Sequence, residues 1–91
     1  MVTLNLDCGW DLHPQVSVRP EPFGALLYHF GTRRLSFLKD RTLLRVVQSL
    51  SEAPTARAAC IAAGVDDSDL PRYQRALGTL AQSSMVVERA S

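Results

Sequence analysis

The 91-residue chain lacks most of the marks that enzymes and nucleic-acid binders display. Its two cysteines, Cys8 and Cys60, stand far apart and form no CxxC pair, so no metal-ligand spacing is present. His13 and His29 fall in no HExxH or HxH spacing, and neither a glycine-rich phosphate loop nor a GxSxG element occurs. Glu21 and Glu52 are separated by a whole predicted helix, and serine, histidine and aspartate share no triad context. Charge of one sign is missing as well. Ten Lys/Arg against nine Asp/Glu leave a net charge of +1, too little for a strongly basic nucleic-acid binder. No apolar run approaches the ~18 residues of a membrane span. The N-terminus also has no basic segment followed by an apolar one. A cytoplasmic, non-membrane, non-enzymatic module without metal or cofactor is the expectation, its thiols kept reduced.

What is present suffices for one small domain. The chain is 46% hydrophobic and 21% charged, which is ordinary globular composition. Residues 1–8 show no sustained periodicity and are expected to form a flexible arm ahead of a single domain over residues 9–91. Gly9, Pro14, Pro20, Pro22, Gly24 and Gly31 then punctuate three strand-length runs: Gln15 to Arg19, Ala25 to Phe30 and Arg33 to Leu38. The first alternates Val16 and Val18 with polar residues. The second is apolar on both faces, as a central strand is. The third sets Leu35 and Phe37 opposite Arg34 and Ser36. Gly31-Thr32 suits a two-residue hairpin turn, with glycine supplying positive φ. A three-stranded antiparallel meander follows.

Beyond Leu38 the period lengthens. Asp40 can cap a helix whose stripe is Leu43, Val46, Val47 and Leu50. Thr55 can cap a second helix through Ala63, with Gly64 as its left-handed stop. After the acidic loop Asp66 to Asp69, Pro71 enters the first turn of a third helix with the stripe Leu70, Tyr73, Leu77 and Leu80. Met85 to Val87 can add a short last strand. The predicted fold is α+β, a three-stranded antiparallel sheet followed by a three-helix bundle, in the manner of a winged helix-turn-helix.

That shape raises two functional readings. In a DNA-binding regulator the third helix would offer Arg72, Gln74, Arg75 and Thr79 to a major groove. The acids ahead of it would then lie against phosphates, which is costly. In a peptide binder the sheet edge does the work. Pro14 and Pro20 bracket and blunt the first strand, whereas Arg33 to Leu38 contains no proline, glycine or acid. An extended peptide could add to that edge by β-augmentation. About four hydrogen bonds at ~1 kcal/mol each, and two apolar anchors at ~1.5–3 kcal/mol each, must offset the cost of ordering the peptide. A micromolar complex, near −8 kcal/mol, therefore needs side-chain anchors as well as the ladder. Candidates are Leu35, Phe37, Tyr73, Leu77 and Leu80, some of them plain core, with Arg33, Arg34, Arg72 and Arg75 flanking them and favouring an acidic peptide. An unfilled edge could also pair with its own copy, giving a homodimer.

The run Arg19-Pro20-Glu21-Pro22-Phe23-Gly24-Ala25-Leu26-Leu27-Tyr28-His29-Phe30, followed by Leu35-Ser36-Phe37-Leu38, resembles the mycofactocin precursor-peptide chaperone family. Gly9-Trp10-x-Leu12-His13-Pro14 and Ala63-Gly64-Val65-Asp66-Asp67 agree with it. The family is one of the PqqD-like recognition elements of ribosomally made, post-translationally modified peptides. The resemblance implies a PqqD-like winged helix-turn-helix that binds a precursor's leader as an added strand along the third strand, beside the third helix. It also implies delivery of that precursor to a radical S-adenosylmethionine maturase that decarboxylates and crosslinks a C-terminal Val-Tyr pair. The chaperone itself would hold no cluster and do no chemistry. Carried onto this chain, the leader contact falls on Arg33, Arg34, Leu35, Ser36, Phe37 and Leu38, and on the helix face of Arg72, Tyr73, Leu77 and Leu80. For Phe23 a core plug is the default and a maturase-facing surface the alternative; Gly24 is expected to serve an unusual φ. Trp10 either seals the core or meets a partner.

Overall fold

The computed structural model describes residues 4–89 as an α+β fold with a small antiparallel sheet and three helices. Four strands, β1 (Trp10–Leu12), β2 (Val16–Glu21), β3 (Gly24–His29) and β4 (Arg34–Leu38), precede α1 (Arg41–Ser49) and α2 (Ala56–Ala62). A 3-10 turn at Asp67–Asp69, α3 (Leu70–Gln82) and β5 (Val86–Glu88) complete the chain. The meander β2-β3-β4 forms as its alternation predicts, with β3 central. The last strand does not join it. β5 pairs with β1, a strand the sequence did not announce, in a separate two-stranded sheet.

The helices start where their caps dictate. Asp40 accepts from the Thr42 N–H at 2.8 Å, and Thr55 Oγ1 accepts from the Ala58 N–H at 3.0 Å, each satisfying a donor the first turn leaves free. Gly64, at φ 89, follows the end of α2. The predicted stripes are core: Val46, Val47, Leu50, Leu77 and Leu80 are all buried. α1 lies against β3 and β4, while α3 packs against β5 and α2.

Three expectations give way. Residues 4–8 are no loose arm, because Leu4 and Leu6 are buried in the core and the arm's backbone caps α2. Leu6 and Cys8 carbonyls accept from Arg57 and Ala56 N–H at 2.8 and 3.0 Å, and Gln74 Nε2 donates to the Leu4 carbonyl at 2.6 Å. Residues 1–3 of the expected arm, and residues 90–91, lie outside the described residues. The β3–β4 turn is a four-residue loop, Phe30 to Arg33, closed by the Arg33 N–H on the His29 carbonyl at 2.7 Å. Its positive φ falls on Arg33 (61°), not on Gly31. The buried His29 replaces the tight turn's own bonding, its Nδ1 accepting from Gly31 and Thr32 N–H at 3.0 and 3.1 Å. Phe23 is exposed rather than a core plug. Gly24 does have the expected unusual φ (151°), and a Cβ there would collide with the Leu38 carbonyl.

Arg89 ties the small sheet to the helices. Its guanidinium bonds Asp11 at 2.9 Å and the Leu50 carbonyl at 2.7 Å, a free acceptor just past the end of α1. Trp10 is half-buried against the core, its Nε1 donating to the Asn5 carbonyl at 3.0 Å.

Candidate functional site

The site is built from β4 and the direction of its backbone. The Phe30 N–H bonds the Gln15 carbonyl at 2.9 Å, making residues 15 and 30 a hydrogen-bonded pair in register with Val16↔His29. Antiparallel pairs alternate, so Ser17, Arg19 and Glu21 exchange bonds with Tyr28, Leu26 and Gly24. Pro20 then falls at a position whose nitrogen faces away from β3, where its missing N–H costs the ladder nothing. On the other side of β3, Ala25, Leu27 and His29 bond Leu38, Ser36 and Arg34. The N–H and C=O groups of Leu35 and Phe37 therefore point outward. No other backbone group among the described residues bonds them. The outer rim of β4 is open, and the chain's own tail strand lies elsewhere, on β1.

The side chains obey the same alternation. Ala25, Leu27, His29, Ser36 and Leu38 face α1, and of these only Ser36 is not fully buried. Leu35 and Phe37 face the opposite way and are 55% and 62% exposed. The expected pocket, with Leu35 and Phe37 facing Tyr73, Leu77 and Leu80 across a groove, is thus not formed. Tyr73, Leu77, Leu80 and Leu38 are core, because the parity that buries Leu38 beside Ala25 turns Leu35 and Phe37 to the outside. Arg33 and Arg34 stand exposed at the loop end of β4, and Lys39 and Arg72 near its other end. Sequence reading missed Lys39, as well as Leu26 and Tyr28, which share the outer face with Leu35 and Phe37. The register Leu26↔Phe37 and Tyr28↔Leu35 that places the last two there is a pairing between strands, which no local pattern announces.

Tyr73 links α3 to the end of β4. Its hydroxyl donates to Asp40 Oδ2 at 2.5 Å, and Arg72 lies over the tyrosine ring, 5.1 Å from its centroid. The Tyr73 bond, with the Thr42 bonds and Arg72 added, holds the Asp40 carboxyl below the usual carboxylate range against the opposing effect of burial. Burial first, and Asp40 second, push the Tyr73 hydroxyl up. This link joins the helix to the strand's end without touching the open rim.

Chemistry has little support elsewhere. A cavity of about 320 Å³ lies between the arm and α3, lined by Leu4, Cys8, Trp10, Gly78, Ala81 and Glu88 among others. Desolvation, with Glu88 and Asp7 nearby, pushes the Cys8 thiol up, so it is not an activated nucleophile. Cys60 is buried, and both thiols are free. Among the described residues no three His, Cys, Asp or Glu side chains gather as a metal site, and no helix is long and apolar enough to cross a membrane. On α3, Gln74 is engaged with the arm and Thr79 Oγ1 donates to the Arg75 carbonyl at 3.2 Å. With Arg72 over the Tyr73 ring, three of the four side chains a DNA reading would employ are thus already engaged.

Comparison with known proteins places the chain among named relatives. The family described as the peptide chaperone MftB family matches residues 9–87. Peptide chaperone MftB of Mycobacterium tuberculosis is 66% identical over 83 residues, covering 91% of this chain and 76% of that protein. Its namesake in Mycobacterium ulcerans is 67% identical over 81 residues, 89% and 74% of the two chains. That of Mycolicibacterium smegmatis is 60% identical over 86 residues, 94% and 84%. No solved structure matches the chain.

Proposed function

The chain belongs to the peptide chaperone MftB family, and from that membership we propose that it captures the leader of a mycofactocin precursor peptide as a strand added to β4. It is a peptide chaperone, a non-catalytic role. In this reading the meander and helices form the PqqD-like winged helix-turn-helix, and the captured precursor is handed in the cytoplasm to a radical S-adenosylmethionine maturase. Holding the guest beside its enzyme raises its effective concentration there, and the chaperone needs no reactive group of its own.

The observation that carries this reading is the open rim at Leu35 and Phe37, which supplies two donors and two acceptors to an extended guest. Amide hydrogen exchange tests it, because the alternation makes a residue-by-residue forecast. Adding synthetic mycofactocin precursor should slow exchange at the Leu35 and Phe37 amides. The Ser36 amide, turned towards β3, and the Arg34 amide, which donates to Thr32 Oγ1 at 3.3 Å, should gain little. Protection confined to residues 15–19 and the loops would defeat strand addition at β4. Retention of duplex DNA at physiological salt, with no effect of precursor on β4, would favour the regulator instead.

A further inference from the structure

The outer face of the three-stranded sheet carries an apolar strip that the core does not use. Phe37 pairs across with Leu26 and Leu35 with Tyr28, and all four side chains share the face turned away from α1. Phe23 extends the strip at one end, its ring 6.3 Å from that of Phe37. Phe30 extends it at the other, edge-on to Tyr28 at 5.0 Å. Phe23, Phe30, Leu35 and Phe37 are all more than half exposed, an uncommon concentration for 91 residues. Such a strip on an unblunted edge is an aggregation hazard unless something covers it.

Its position names the occupant. The two most exposed members on β4, Leu35 and Phe37, are the same residues whose backbone groups form the open rim. A strand bonded to that rim must set its residues opposite Leu35 and Phe37 onto the outer face, with facing Cβ atoms roughly 5 Å apart. The residue between them turns inward, towards the small Ser36. Cations bracket this stretch, Arg33 and Arg34 at one end and Lys39 at the other, where Arg72 also lies over the Tyr73 ring that bonds Asp40.

We propose that the guest peptide is selected on the outer face of the sheet, through two apolar side chains at alternate positions that cover Leu35 and Phe37, with acidic residues flanking them. This rests on strand addition at β4 and adds the chemistry of the segment recognised there.

The test separates the two. Labelled chain and synthetic mycofactocin precursor should give intermolecular NOEs from alternate apolar residues of the peptide to the Leu35 methyls and the Phe37 ring. Phe37→Ser, a change at an exposed side chain, should weaken binding about tenfold, and Phe37→Leu should restore most of it. If the β4 amides respond to peptide while those NOEs are absent and Phe37→Ser binds as well as the parent, selection on the outer face is wrong and strand addition stands. If the β4 amides do not respond in the parent chain, strand addition fails and the outer-face reading with it. A free chain that sediments as a dimer, dispersed by Phe37→Ser and unaffected by precursor, would assign the strip to a second copy and overturn the proposal.

Discussion

The two edges of one sheet are treated oppositely. On β2, the outward positions are Val16, Val18 and Pro20, and only one donor, the Val18 N–H, is left: the Val16 N–H already donates to the His13 carbonyl at 2.9 Å, and Pro20 has no N–H. On β4, the outward positions are Leu35 and Phe37, both with free donors and acceptors and both presenting large apolar side chains to solvent. The sheet is three strands wide, so topology leaves both outer strands as edges alike. The difference lies in a proline and a backbone bond on one side and their absence on the other. An edge left open beside a blunted one is what a chain that accepts a guest strand requires, and what a chain that only needs to fold avoids.

Proline placed at successive positions of β4 should break or sharpen this contrast most strongly. Ser36→Pro removes a ladder donor to Leu27 and should cost about 3 kcal/mol or more in denaturant unfolding. Leu35→Pro removes only a rim donor, should cost well under half as much, and should weaken precursor binding about tenfold by calorimetry. Equal destabilisation by the two would show the alternation to be misplaced.

A smaller effect concerns the link that holds α3 to the end of the open strand. Tyr73→Phe leaves the Thr42 bond to Asp40 intact but removes the hydroxyl, and should cost about 1 kcal/mol at neutral pH. The folded Asp40 carboxyl lies below its unfolded value. Its contribution is therefore complete above an unfolded pKa of about 3.9 and disappears as pH falls through the lowered folded value. Unfolding profiles of the parent and Tyr73→Phe should converge in acid; a gap independent of pH would assign the loss to packing instead.

The smallest effect is the charge at the rim. Arg33→Ser with Arg34→Ser should weaken precursor binding roughly two- to fivefold at low salt, a difference that fades as salt screens it. Arg19→Ser, beside the blunted edge, should leave affinity unchanged. Loss of binding from Arg19→Ser would move the guest to the wrong side of the sheet.

Much of this was legible in the residues. Asp40 and Thr55 sit ahead of their helices with a side-chain oxygen one turn from free N–H groups, and the stripes 43/46/47/50 and 70/73/77/80 place apolar side chains on one face at helical spacing. The first and third strands alternate visibly, and the middle one is apolar on both faces, as a central strand is. Residues 4–8 were harder, though Leu4 and Leu6 flanking Asn5 do show a period of two. A three-residue strand such as β1 has no such pattern, and it exists because β5 returns to it from the far end of the chain. Phe23 and Phe37 illustrate the remaining gap, since an aromatic in a strand-rich segment reads as core unless its face is known.

Local chemistry, then, settles what lies close along the chain: caps, periods, the stop at Gly64 and the proline that blunts β2, because each depends on neighbours a few residues away. Which face of β4 is wet, and which nitrogens its ladder leaves unused, depends on pairing with β3 and on burial of Leu38 beside Ala25. Those are contacts between distant segments, and a shift of one residue would exchange every inward side chain for its outward neighbour. Folding alone decides that parity, and with it where a guest can bind.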